Sequence, residues 1–183
     1  MSKTTPILPA ASIQRTRLAD GLLTATATLT FAVTGIGLFE GHVTYPSWYN
    51  LIAIDDFAAY HADFGKRLIP WLPVPLLAAT ALNGLLIRWC PTRVPRGLVV
   101  ATFAAQLAIC GVTAAMALPL QAQLDAPGHS PDEIAELLDR LSRVSVLRDV
   151  PGIGVAAAFV WMLQRQLAAG SDRVERNRTL RRR

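Results

Sequence analysis

Glu40, His42 and His61 stand close together in a chain with few ionisable groups in its apolar stretches, and they would supply a carboxylate and two imidazoles. Two histidines and one carboxylate are the donor set of a transition-metal site, with iron or copper as the metals that such a site would hold. Glu40 and His61 with Tyr45, Tyr60 and Arg148 could instead form a metal-free acid–base or ligand pocket. Glu40 would be the general base, His61 a second base, and Arg148 the group that stabilises developing negative charge. A third reading is purely architectural, in which Glu40 and Arg148 neutralise each other and fix the packing of two helices. Glu40 closes an apolar run, where a carboxyl is costly unless it is paired, protonated or hydrated.

The spacing limits these options. Glu40 and His42 are two apart, so they diverge by about 200° on a helix and converge only if the helix ends near Gly41. Pro46 predicts a break after Tyr45. Asp55 or Asp56 then caps a short helix in which Phe57, Tyr60, His61, Phe64 and Leu68 share one face. Asp55, Asp56 and Asp63 are further carboxylates within reach of that helix.

The elements that must position these groups are apolar helices. The chain has 183 residues, 52% hydrophobic and 17% charged, against about 25% charged in a soluble domain. Four runs meet the length of about 20 residues needed to cross a bilayer: 21–43, 68–89, 98–118 and 150–167. Of the 18 Lys and Arg residues, 13 fall on the side of the two termini and the 88–96 connection, and five fall on the other. The positive-inside rule then places both termini in the cytoplasm. The expected fold is all-α, a four-helix transmembrane bundle in the cell membrane with short helices in its two outer loops. Residues 1–14 read as a loose cytoplasmic lead, 15–169 as the transmembrane domain, and 170–183 as a basic tail.

The second span opens on Pro70, Pro73 and Pro75, which predicts a distorted entrance. Asn83 is expected to hydrogen-bond across helices. In the second outer loop Ser130, Pro131 and Glu133 form a capping box. The helix that starts there places Ile134, Leu137, Leu138, Leu141, Ser145 and Arg148 on one inward stripe, and Pro151-Gly152 marks a step into the last span. Gln121 and Gln123 read as interfacial.

The net charge of +5 comes largely from the terminal arginines. No aromatic residues interleave with them, so they suit anionic lipid headgroups and not nucleic acid. Cys90 and Cys110 form no C-x-x-C motif and read as small apolar fillers. There is no P-loop, GxSxG, HExxH or GxGxxG motif, which leaves nucleotide hydrolysis, common serine hydrolysis and dinucleotide chemistry without support.

The segment GLFEGHVTYPSW at the end of the first span, with LPLQAQL after the third and SVLRDV before the fourth, resembles a group of small four-helix membrane proteins. These are the anthrone oxygenase-like proteins and their uncharacterised bacterial relatives. The resemblance spans most of 35–167 and rests on Glu40, Tyr45, Pro46, Trp48 and Arg148. This chain has Gln121 and Gln123 where many bacterial relatives would have a histidine. The resemblance implies a four-helix bundle and oxidation of an aromatic or other lipophilic substrate at the outer membrane face. A non-catalytic protein is the other expectation: it would bind a lipid or serve as a subunit, homo- or hetero-oligomeric, through faces bearing Gly35, Gly37, Gly152 and Gly154.

Overall fold

The computed structural model describes residues 10–53 and 56–181, with side chains described for 14–53 and 56–168. Asp55 and residues 1–9 lie outside the described residues, as do the side chains of the basic tail. The described backbone is helical, with seven α-helices: α1 (Ala10–Phe39), α2 (Tyr45–Trp48), α3 (Phe57–Leu68), α4 (Pro73–Arg88), α5 (Arg96–Val112), α6 (Leu118–Leu124) and α7 (Pro131–Arg181). They combine into four rods long and apolar enough to cross a membrane: Gln14–Trp48, Phe57–Arg88, Arg96–Leu124 and Pro131–Ala168.

The rods form a square. α1 packs on α4 and α7, and α5 packs on the same two helices from the opposite corner. One end of the square holds the connections 49–56 and 125–130 and is called the distal end below. The other holds the 89–95 connection.

The apolar surface is distributed as lipid would require. Leu77 is 62% exposed and Val150 65%, while Thr30, Asn83, Thr102 and Gln106 are buried. Water would not favour large apolar side chains outside and amides inside. Asn83 donates to Thr102 Oγ1 at 3.2 Å and to Gln106 Oε1 at 2.8 Å. Gln106 Nε2 in turn donates across the square to Thr30 Oγ1 at 3.1 Å. This polar layer separates two apolar clusters. The distal one includes Tyr45, Trp48, Phe57, Leu124, Leu138 and Leu141. The other includes Leu23, Leu86, Val99, Val155, Phe159 and Met162.

Two local expectations are corrected. Pro46 does not break the first rod. The backbone widens into a π turn over Glu40–Thr44 and continues into α2, with Pro46 in its first turn. A widened turn moves aside the carbonyl that the proline ring would otherwise strike. The third rod repeats the device, with a π turn over Thr113–Ala117 before Pro119 in α6. Nor does the chain step between two helices at Pro151, which lies inside the continuous α7.

Other local signals hold. α7 starts at the capping box, where Ser130 N donates to Glu133 Oε2 at 2.7 Å and Glu133 N donates to Ser130 Oγ at 3.4 Å. The second rod is interrupted between Leu68 and Pro73, where Val74 N reaches back to Ile69 O at 3.3 Å.

Candidate functional site

The π turn determines where the first acid goes. It turns Glu40 into the bundle at 3% exposure and leaves the His42 side chain outside at 66%. Glu40 Oε2 lies 3.9 Å from Arg148 Nη2, so the stripe that turned Arg148 inward meets the acid it was expected to meet. Tyr45, fully buried, joins them. Its hydroxyl lies beside the Glu40 carboxyl and accepts from Arg148 Nη2 at 3.3 Å and from Gln121 Nε2 at 3.4 Å. The phenol therefore sits between acid and base as their shared partner. Glu40 Oε2 and Arg148 Nε retain no hydrogen-bond partner, an unusual condition for buried charged groups.

Asp149 is the residue that the sequence reading did not single out. Its signal was position alone: an acid beside the inward Arg148, at the entrance to an apolar run. It is buried at 8% exposure, and its Oδ2 has no hydrogen-bond partner. His42 Nδ1 lies 3.8 Å from that oxygen, and the same nitrogen donates to Leu38 O at 3.1 Å. The first and fourth rods come close here because residue 41 is glycine. A Cβ at Gly41 would stand 3.0 Å from Ser145 Oγ and 3.2 Å from Asp149 Oδ2.

Arg148 and Asp149 also form the polar end of a cavity that is partly open to the outside. All four rods contribute to its wall, among them Thr34 and Gly37, Leu76, Gln106, and Gly152. It runs from the Arg148 level toward the Thr30–Gln106 layer, and its wall is mostly apolar, with Thr34 and Thr113 as further polar side chains. The chain matches no family model, no curated protein and no solved structure.

His61 belongs to a neighbouring cluster. It is buried at the distal end, where its Nδ1 donates to Asp125 Oδ1 at 2.6 Å. Its ring packs edge-on against Trp48, with centroids 4.8 Å apart, and stacks with Phe57 at 5.9 Å. Its Nε2 has no partner. Trp48 lies 5.3 Å from the Tyr45 ring between centroids, so the two clusters share an aromatic wall. Asp125, like Asp149, carries no motif and becomes visible only when the third rod closes on α3.

The candidate metal set is not assembled. No three His, Cys, Asp or Glu side chains among the described residues are grouped so as to hold a metal ion. Glu40 joins Arg148, His61 joins Asp125, and His42 faces outward. Tyr60 also stays apart, at 49% exposure. Asp63 pairs on the surface with Arg67 at 2.9 Å. Beyond the spans, Tyr49 donates to Asp139; partial burial first, and then that carboxylate, push its pKa up to about 12.

Proposed function

We propose that this chain is a multi-pass membrane protein, its termini cytoplasmic, that takes a lipophilic small molecule from the bilayer into the cavity between its four rods. The observation that carries this reading is that Arg148 belongs both to the cavity wall and to the buried Glu40–Tyr45 cluster. An apolar cavity with a few convergent polar groups is the usual form of a small-molecule site. A buried guanidinium held from behind by Glu40 and Tyr45 is preorganised to receive an electron-rich oxygen. In an oxygenase-like enzyme, Arg148 would stabilise negative charge developing on that oxygen. Glu40, which stands behind Arg148 and outside the cavity wall, would hold the guanidinium in place for that role and would act as a base only through the Arg148–Tyr45 cluster. His61 would act from the adjoining aromatic wall. The oxidation itself rests on the resemblance of GLFEGHVTYPSW.

Mass spectrometry of protein purified in mild detergent tests the reading. A lipophilic molecule bound at one per chain is expected, and a Gly152→Leu variant, whose side chain enters the cavity beside Thr34, loses it without unfolding. Wild-type protein that carries no such molecule, or a Gly152→Leu variant that keeps it, overturns the proposal. With that molecule in hand, oxidation by the wild type and not by Glu40→Gln is the outcome the enzyme reading requires.

The second reading is a non-catalytic subunit or lipid-binding protein. It is favoured by Gly35 and Gly154, where an added Cβ would meet nothing within 4 Å. Such open notches suit close approach by a helix from another chain.

A further inference from the structure

The cavity end carries an unbalanced charge. Two carboxylates, Glu40 and Asp149, accompany a single guanidinium, Arg148. Arg148 is turned to Glu40 and Tyr45, with Nη2 3.9 Å and 3.3 Å from them. The other nearby base, His42, is mostly exposed, and its Nδ1 donates to a backbone carbonyl instead of the acid. Asp149 is thus more than nine-tenths buried, lines the cavity, and has an oxygen with no hydrogen-bond partner. Its other oxygen lies on the side of Gly37, at 3.9 Å from where a Cβ would stand. Gly37 is itself part of the cavity wall, so the missing side chain leaves the carboxylate open to an occupant. A buried anion without a cation within hydrogen-bonding distance is costly in an apolar medium, and a ligand that brings the cation removes that cost.

We propose that the cavity selects lipophilic ammonium compounds, with the apolar body lying along Leu76 and Val155 and the N–H donors on the Asp149 carboxylate. This rests on the reading of the cavity as a ligand site and adds to it the charge of the ligand. With all three groups ionised, Glu40, Asp149 and Arg148 sum to one negative charge, which one ammonium group neutralises. A phenol or alcohol would supply a donor but would leave the charge.

The test compares two probes that share an apolar tail, radiolabelled dodecylamine and dodecanol. Saturable binding is measured at pH 7 to bead-captured full-length protein in a nonionic detergent. Dodecylamine is expected to bind one per chain and about 10- to 100-fold more tightly than dodecanol, the range of one hydrogen bond to a charged group. Asp149→Asn keeps the shape of the side chain and should abolish the preference while retaining dodecanol. Gly37→Leu should exclude both. Equal affinities for the two probes in the wild type overturn the charge preference and leave the cavity reading standing, with no dependence on how a variant folds. An unchanged preference in Asp149→Asn overturns the assignment to that residue. Absence of saturable binding by either probe defeats both the preference and the cavity reading beneath it.

Discussion

Tyr45 shows what a single buried hydroxyl can organise. It links Glu40, Arg148 and Gln121, which come from the first, third and fourth rods. Its presence at the end of an apolar run was legible, as was the inward stripe that delivers Arg148. The carboxylates that complete the site were not. Asp125 lies far in sequence from His61, and Asp149 from Gly37 and Gly41, and helical spacing reports only the face on which a residue stands. The Glu40–Arg148 pair makes a prediction at this scale. Arg148→Met leaves a buried carboxylate without its counter-charge and is expected to cost about 3–5 kcal/mol. Combining it with Glu40→Gln should recover a large part of that loss. Reversible unfolding in mixed micelles measures the cycle, and strictly additive losses would mean that the two groups do not interact.

At the scale of elements, the π turns govern the site. Pro46 reads as a helix breaker because a proline removes one rung and crowds the carbonyl four residues back, and Pro119 meets the same constraint. A chain surrounded by lipid has no water to satisfy a broken end, so widening the turn is the less costly response. That choice is set by the surroundings of the helix, which no local motif encodes, and it decides that Glu40 faces inward while His42 does not. Gly41, inside the first π turn, permits the contact with α7. Gly41→Ala would place its methyl against Ser145 and Asp149, and is expected to lower stability by about 1–3 kcal/mol through overpacking. Gly35→Ala meets open space and should change the melting temperature little or even raise it, since alanine is the better helix former. Thermal unfolding of the two variants side by side checks the contrast.

For the whole molecule, the four rods were legible because twenty-residue apolar runs have few other uses. Their square arrangement was not, since a residue such as Gln106 gives no hint of which neighbour it will meet. The bias of basic residues predicts which end faces the cytoplasm. In a variant lacking Cys90 and Cys110, a cysteine at exposed position 130 should react with an impermeant maleimide on intact cells. One at exposed position 93 should react only after lysis. The reverse pattern would invert the bundle.

α7 is a single helix of 51 residues, about 75 Å long at 1.5 Å per residue, far more than the hydrocarbon core of a bilayer requires. Pro151 lies inside it and cannot close the rung to the Leu147 carbonyl. Arg148 and Asp149 sit within that missing rung, so the helix is softest where the cavity touches it. In mechanical terms α7 is a lever whose fulcrum is the occupant's seat. A bend of about 5° there carries the helix end, about 30 residues on, through about 4 Å. An occupant that altered this bend would be felt at a surface it never reaches.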